Sequence, residues 1–272
     1  MQHFATSPYA LAASLVKNRG LITTLVVREV TSRYRGSLLG WIWPFITPLF
    51  MLLVYTFVFG VIFHSRWNNV TASRSDFALI LFVGLTIFNL FSECVNRAPT
   101  LVLGNANYVK KVVFPLEILP WVALGAALFT WLVSTVVWLV FYIALVGAPH
   151  ASAILLPFVI LPFALVVTGL TWYLSSLGVY LRDVSQIITI ITSVFMFLAP
   201  IFYPITAVSE RYRYLLYLNP LTIPVEEARE LLYWGTVPDL EIYAIYLLIS
   251  VLFAWLGFAW FQKTRKGFAD VL

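Results

Sequence analysis

Six apolar segments, each long enough to cross a lipid bilayer, dominate this sequence of 272 residues. A membrane-crossing helix needs about 20 mostly apolar residues. The predicted spans are Trp41–Phe63, Phe77–Arg97, Leu116–Val146, Ala153–Leu181, Ser185–Tyr203 and Leu240–Phe261. Only 11% of the residues are charged, whereas a soluble domain carries about 25%. The pattern excludes a soluble enzyme and a disordered chain, and it predicts an all-α polytopic membrane protein with six transmembrane helices.

The segments between the spans are too short to form a separate soluble domain. We therefore expect one membrane domain over the whole chain. Its parts are residues 1–40 with a helix at the membrane interface, spans one to five over 41–203, a loop segment over 204–239, and span six with a tail over 240–272. Pro120, Pro157 and Pro162 are expected to kink the third and fourth spans.

Lys and Arg are distributed unevenly between the two sides of the membrane. With both termini in the cytoplasm, twelve of the 17 basic residues fall on the cytoplasmic side and five on the other. Cytoplasmic loops of membrane proteins carry an excess of Lys and Arg. The sequence therefore predicts a multi-pass protein with both termini in the cytoplasm.

Residues 21–35 have the pattern of an amphipathic helix. The residues on its apolar arc are Ile22, Leu25, Val26 and Val30. Arg28 and Arg35 lie on the opposite face. We interpret this segment as a helix in the cytoplasmic interface, with its basic face toward anionic headgroups. The alternative is that it also guards the cytoplasmic entrance and senses the motions of a partner.

Residues 98–115 form the largest internal cytoplasmic segment. It combines the small polar residues Asn105 and Asn107 with the basic pair Lys110 and Lys111. Composition alone favours a surface loop with its lysines at the headgroups. The alternative is a docking element for a cytoplasmic protein.

Residues 204–239 have the pattern of two short helices. The first ends before Asn219 and Pro220, because a residue that precedes proline avoids helical geometry. The second begins near Pro224 and stops at Gly235, a residue type that ends helices well. Both helices are too short to cross the membrane. They form either an interfacial loop or a re-entrant outer gate.

Recognisable catalytic motifs are nearly absent from the sequence. The sequence contains no phosphate-binding G-x-x-x-x-G-K-[ST] motif, and its three histidines lie in separate segments. We therefore expect no metal site and no cofactor in this chain. Glu93 and Arg97 stand four residues apart and are predicted to pair with each other. Glu117 opens the third span, where it either reaches the interface or contacts a partner.

Aromatic residues are abundant, at 17% of the chain. The first and fifth spans include Tyr55, Phe57, Phe59, Phe195, Phe197, Phe202 and Tyr203. Packing against lipid or other helices explains most single rings. The alternative is that some of them line a wide pore, because the apolar faces of sugar rings stack on aromatic side chains.

Four stretches of the chain resemble ABC-2-type transporter permeases. They are RYRGSLLGWIWPFITPLF at Arg33–Phe50, NYVKKVVFPLEILP at Asn107–Pro120, GVYLRDV at Gly178–Val184 and YLNPLTIPVEEARELLYWG at Tyr217–Gly235. They occur in the family's order and bracket nearly the whole chain. The closest subfamily is the permease of polysaccharide exporters, which handle lipopolysaccharide O antigen, capsule or teichoic acid.

The resemblance implies a homodimer that binds two copies of a separate cytoplasmic ATPase chain, which would hold ATP and magnesium. The implied ATPase-docking residues are Arg28, Glu29, Arg33, Asn105, Asn107, Tyr108, Lys110 and Lys111. The implied channel aromatics are Tyr55, Phe59, Phe195, Phe197, Phe202 and Tyr203. The implied gate helices cover Thr206–Leu218 and Thr222–Trp234, with gate residues Tyr212, Tyr214, Tyr217, Asn219, Pro220, Glu226, Arg229 and Tyr233.

The resulting hypothesis is ATP-driven export of a polysaccharide, with O antigen favoured, carried on polyprenyl pyrophosphate across the bacterial inner membrane. Arg33, Tyr34 and Arg35 would receive the pyrophosphate at the cytoplasmic entrance, because charge-assisted hydrogen bonds to phosphate are strong. Two alternatives stand beside it. One is an exporter of small lipids or drugs, and the other is a membrane enzyme that acts on polyprenyl-linked sugars.

Overall fold

The computed structural model describes residues 5–62, 67, 74–111 and 114–271, and every regular element in these ranges is helical. The α-helices are α1 Pro8–Lys17, α2 Arg19–Tyr34, α3 Trp43–Tyr55, α4 Arg74–Leu101, α5 Ala106–Lys111, α6 Leu119–Leu145, α7 Leu156–Tyr180, α8 Val184–Leu198, α9 Glu210–Tyr217, α10 Thr222–Arg229, α11 Leu240–Thr264 and α12 Phe268–Val271. Two π-helical segments, Thr56–Ile62 and Glu230–Trp234, extend α3 and α10. The predicted all-α membrane fold is confirmed.

Five helical segments are long and apolar enough to cross a membrane. They are Gly40–Phe59, Asp76–Leu101, Leu116–Leu145, Ala151–Tyr180 and Leu240–Val271. They correspond to five of the six predicted spans, although Phe63 at the end of the first prediction lies outside the described residues. The protein is therefore a multi-pass membrane protein.

The predicted fifth span, Ser185–Tyr203, is shorter in the structure than in the prediction. Its helix is α8, with 15 residues, and the chain turns to an extended conformation at Ala199. Pro200 explains this end, because the residue before a proline is pushed out of helical geometry. At 1.5 Å per residue α8 is about 22 Å long.

Helix α4 occupies the centre of the bundle. In its most apolar stretch 78% of the residues are buried, against 17% in the segment Gly40–Phe59. Helices α6 and α7 flank it. The indole Nε1 of Trp138 on α6 donates a hydrogen bond to the carbonyl oxygen of Leu79 at 2.9 Å, and Phe91 of α4 stacks on Phe163 of α7. The elements around α4 are thus positioned by packing against a largely buried helix.

Helices α7 and α11 approach each other most closely at two glycines. A Cβ atom on Gly257 would lie 2.3 Å from the carbonyl oxygen of Gly169, so only glycine permits this backbone contact. Small residues allow close helix packing in membranes, where the hydrophobic effect does not drive helices together. Trp172 is buried beside the crossing, edge-on to Phe258.

Two of the three predicted proline kinks are wrong. Pro120 and Pro157 lie in the first turns of α6 and α7. A proline there begins a helix without disturbing it, because the first N–H groups have no partner within the helix. Pro162 does lie inside α7.

The N-terminal segment contains a helix that the sequence analysis missed. Helix α1 precedes α2, and the two are bent by 65°. Ser7 begins α1, since its Oγ accepts a hydrogen bond from the backbone N of Ala10 at 3.1 Å. This serine followed by proline was the available sequence signal.

Helix α2 agrees with the predicted amphipathic pattern, but its apolar face packs on protein. Ile22, Leu25 and Val30 are buried, and Val26 lies against Gly125 of α6, where a Cβ would come within 2.6 Å of it. Arg28, on the other face, is exposed. The helix therefore rests against the bundle along α6.

Replacing Gly257 with Ala tests the close crossing of α7 and α11. We expect the change to destabilise the protein by about 1–3 kcal/mol, because an overpacked contact costs that much. Gly20→Ala is the matched control, since Gly20 is also helical but has no atom near its Cβ position, and Ala is a better helix former than Gly. Thermal stability in detergent is the measurement. Equal effects of both changes would contradict the packing.

Candidate functional site

The candidate site lies on the face of the bundle where α2, α5, the end of α4 and the end of α11 meet, here called the terminal face. Four charged residues join α2 to α4 there, and we name Glu29, Arg33, Glu93 and Arg97 the charge quartet. Arg33 donates a hydrogen bond to Glu93, and Arg97 pairs with Glu29 at 2.8 Å. Arg33 and Glu29 also lie 3.7 Å apart.

The predicted pair of Glu93 with Arg97 is therefore wrong. Both α2 and α4 carry a Glu and an Arg four residues apart. Because the two helices approach each other at these positions, each carboxylate finds a guanidinium on the other helix. These ion pairs bridge the two helices, whereas a pair within α4 would stabilise only that helix.

The quartet is partly shielded from water, since its side chains are 23% to 33% exposed. Burial by itself would raise the pKa of Glu29, but the hydrogen bond from Arg97 and the charges of Arg97 and Arg33 together lower it. Glu29 is therefore ionised at neutral pH. A network of this kind holds its members more firmly than one isolated surface pair does.

Helix α5 is attached to α2 through one hydrogen bond. The guanidinium of Arg28 donates to the hydroxyl of Tyr108 at 3.1 Å, and the Tyr108 ring stacks on Phe114 with centroids 4.3 Å apart. Asn105 donates to the carbonyl oxygen of Leu101 at 2.8 Å, which closes the turn after α4. Asn107 is exposed. Two predicted docking residues thus contact each other, and a third shapes the turn that presents α5.

For the basic pair of α5 the structure describes only the backbone. Lys110 and Lys111 end the helix, but their side chains lie outside the described residues.

A buried ion pair that the sequence analysis did not propose holds the segment after α5. Arg265 donates to Glu117 at 2.6 Å and to the carbonyl oxygen of Phe114 at 2.8 Å. The side chains of Arg265 and Glu117 are only 13% and 14% exposed. The available signal was topology, because Glu117 opens one predicted span and Arg265 closes another on the same side. This pair places the end of α11 beside the link between α5 and α6.

The three predicted entrance residues have different surroundings. Arg33 belongs to the charge quartet, whereas Arg35 is exposed at the end of α2. The ring of Tyr34 lies 6.0 Å from Trp41, which in turn meets Phe129 edge-on. Of the two arginines, Arg35 is the one outside an ion pair in the described structure.

The predicted channel aromatics form two groups. Tyr55 and Phe59 lie together at the end of the first span, and Phe59 packs on Phe77 of α4. The second group surrounds the end of α8. Its members are Phe195 against Phe91, and Phe197 against Phe202, with the Tyr203 hydroxyl donating to the carbonyl oxygen of Phe197 at 3.2 Å.

The face opposite the terminal face carries α9, α10 and the segment Glu230–Trp234, here called the outer hairpin. The two predicted helices are present, although α9 begins at Glu210 and is shorter than predicted. Among the predicted gate residues, Tyr212, Tyr214 and Tyr217 are exposed, whereas Asn219 and Arg229 are buried. Pro220 follows Asn219 at the turn, Glu226 pairs with Arg229 at 3.0 Å, and Tyr233 packs edge-on against Tyr142.

The fold is that of a polytopic membrane protein whose helical bundle presents a charged surface built from separate parts of the chain. The chain belongs to the ABC-2 type transporter family, whose model matches residues 20–233.

Curated relatives align with nearly the full length of the chain. An O-antigen export system permease protein RfbA from Myxococcus xanthus is 29% identical over 96% of this chain and 98% of its own length. A Klebsiella pneumoniae protein of the same name is 22% identical, over 93% of this chain and 95% of its own. The polysialic acid transport protein KpsM of Escherichia coli is 23% identical over 90% of this chain and 94% of its own.

Charge reversal tests the pairing of α2 with α4. We expect Arg33→Glu to lower thermal stability, because the new carboxylate faces Glu93 and Glu29. Arg33→Glu combined with Glu93→Arg restores the pair and recovers part of the loss, with a coupling energy of about 0.5–3 kcal/mol for contacting residues. Arg35→Glu, at the exposed residue that directly follows the same helix, is the control. Additive effects of the two reversals would argue against the pair.

Proposed function

We propose that this chain is the permease subunit of an ATP-driven exporter that moves a polysaccharide, with O antigen favoured, on polyprenyl pyrophosphate across the bacterial inner membrane. The observation that carries the proposal is the near full-length similarity to proteins named for O-antigen export and polysialic acid transport. The family match over residues 20–233 supports the transporter class.

The terminal face is proposed to be the cytoplasmic side. Most Lys and Arg of the chain fall on this side, and cytoplasmic loops carry that excess. The N-terminal helices and the C-terminal segment both lie there, which agrees with two cytoplasmic termini. The outer hairpin then faces the opposite side of the membrane.

A separate ATPase chain is proposed to dock on α5 and the exposed face of α2. Arg28 and Asn107 are exposed there, and Lys110 and Lys111 end α5. ATP and magnesium would be held by that partner. Glu29 and Arg33 have a different role in this proposal, because their charges are already paired within the chain.

The charge quartet is proposed to carry the partner's motion into the bundle. Helix α2 is joined to α5 by Arg28 and Tyr108, and to α4 by the quartet. A force on α5 therefore reaches the central helix directly through the short turn that joins α5 to α4, and also by way of α2 through the Arg28–Tyr108 hydrogen bond and the charge quartet. Such a connection requires elements that move together, and charged hydrogen bonds provide it.

The substrate's pyrophosphate is proposed to bind first near the end of α2. Arg35 is exposed beside Tyr34, and a guanidinium forms paired hydrogen bonds with phosphate oxygens. The glycan would then pass the two aromatic groups, whose rings stack on sugars without requiring one sequence of sugars. Two copies of the chain would form the complete pathway, together with two ATPase chains.

Depletion of this chain tests the export function. We expect long glycan to accumulate on polyprenyl lipid inside the cell and to disappear from the surface. Lipid-linked glycan on both sides of the membrane is the measurement. Normal surface glycan without accumulation, in a strain with no second exporter, would remove this proposal and favour an exporter of small amphiphiles.

Reversing the charges of Lys110 and Lys111 tests the docking surface. We expect the Lys110→Glu and Lys111→Glu double variant to lose most of the ATPase that purifies with the permease. In this proposal the basic pair faces acidic groups of the ATPase, and the new carboxylates would be repelled by them. Lys17→Glu, an exposed lysine on α1, is the matched control and should retain the partner. Full co-purification and export in the double variant would contradict docking at α5.

A further inference from the structure

Arg229 is a buried guanidinium whose partners lie mostly outside its own helix. Its side chain is 2% exposed. Its Nε donates to the carbonyl oxygen of Ile80 on α4 at 3.1 Å. Its Nη1 donates to the carbonyl oxygen of Pro200, and its Nη2 donates to that of Ile201 at 2.7 Å. One side chain of the outer hairpin therefore binds both the central helix and the turn after α8.

The positive charge of Arg229 is balanced locally. Its Nη1 also donates to Glu226 Oε1 at 3.0 Å, and the guanidinium carbon lies 4.3 Å from the ring centroid of Trp67, within cation–π distance. Burial lowers the pKa of Arg229 to about 10, while Glu226 opposes that shift. The guanidinium is therefore charged at neutral pH.

Helix α4 has a glycine where the guanidinium lies against it. A Cβ atom on Gly84 would lie 2.8 Å from Arg229 Nη2. The side chain reaches its carbonyl partners because this position of α4 has no side chain. The binding pocket for Arg229 is thus formed by the chain itself.

Two further hydrogen bonds attach the outer hairpin at its other points. At the turn between α9 and α10, Asn219 Nδ2 donates to the carbonyl oxygen of Phe195 on α8 at 2.8 Å. After α10, the Ser152 hydroxyl donates to the carbonyl oxygen of Leu231 at 2.7 Å. Helix α10 is therefore held before its start, at its last residue and beyond its end.

These contacts decide how the hairpin can move. Swinging it away from α4 and α8 would leave a buried guanidinium and several carbonyl groups without partners, which is costly in an apolar region. A motion that keeps the hairpin, α4 and the end of α8 together breaks none of these bonds. We infer that the three elements move as one rigid body, and that the outlet opens between the bodies of two subunits.

In this arrangement Arg229 is a positioning residue that joins the hairpin to the moving helices. The inference rests on the proposed homodimeric exporter with its outlet at the outer hairpin. It differs from a gate in which the hairpin opens against its own subunit.

Spin-label distances in the permease–ATPase complex test the rigid body. The background is Cys94→Ala, because Cys94 is the only cysteine of the chain. One label replaces Glu210 on α9, which is 89% exposed, and the other replaces Asn89, an exposed residue of α4. Labelled subunits are diluted with unlabelled ones, so that only distances within one chain are measured. A second sample carries only the Glu210 label in both subunits.

We expect the distance within one chain to stay the same between the nucleotide-free and ATP-trapped complexes. We expect the distance between the two Glu210 labels to shift by several ångströms, the order of one helical turn, about 5 Å. A shift within one chain would overturn the inference. No shift in either sample, while ATP drives export, would also overturn it, because the outlet would then open elsewhere.

A second arm uses the permease without the ATPase. Arg229→Met should broaden the distance distribution within one chain, and Arg229→Lys should broaden it less, because a lysine retains the charge but cannot bond all three carbonyls. Arg211→Met, an exposed arginine of the same hairpin, is the matched control and should leave the distribution unchanged. If the methionine variant does not fold, the lysine variant provides the comparison.

An unchanged distribution in both Arg229 variants would overturn the role of Arg229. This arm requires neither export nor ATP. Its outcome is therefore independent of the proposed function, and a failure of glycan export in the depletion experiment would not be mistaken for a failure of the rigid body.

Discussion

Packing of the apolar side of α2 on α6 brings its charged side next to α4, and the opposite charges that meet there determine the form of the terminal face. Glu29 and Arg33 meet Arg97 and Glu93 of the most buried helix. Once α2 is held there, Arg28 comes within reach of Tyr108 on α5. The C-terminal Arg265 completes the face from the other side by binding Glu117. Segments far apart in sequence thereby form one surface.

The sequence predicted most of the helices because their apolar runs leave few alternatives in a membrane. An unpaired backbone group is costly in lipid, so a long apolar run becomes a helix whatever its partners are. One exception was α1, which was missed, and another was the end of the fifth span. Apolar residues continue to Tyr203, but Pro200 ends the helix earlier, so hydropathy alone extended it too far. The outer hairpin was predicted well, since prolines and Gly235 mark its ends locally.

The ion pairs were less predictable than the helices, because the partner of each charged side chain depends on which helices become neighbours. Spacing along α4 favoured a pair of Glu93 with Arg97, and the same spacing occurs in α2 at Glu29 and Arg33. Only tertiary packing selects the pairs between helices. The burial of Arg229 was hidden for a related reason, because its partners are backbone carbonyls at Ile80, Pro200 and Ile201. Every residue has a backbone carbonyl group, so a sequence does not show which carbonyls accept a hydrogen bond from a side chain.

The shortness of α8 has a consequence for the turn that follows it. The 15 residues of α8 form a helix about 22 Å long, whereas the 27 residues of α6 form one about 40 Å long. The hydrocarbon of a bilayer is about 30 Å thick. Helix α8 alone is therefore too short to cross that layer, and the turn over residues 199–201 that follows it needs the hydrogen bonds from Arg229 to satisfy its carbonyl groups.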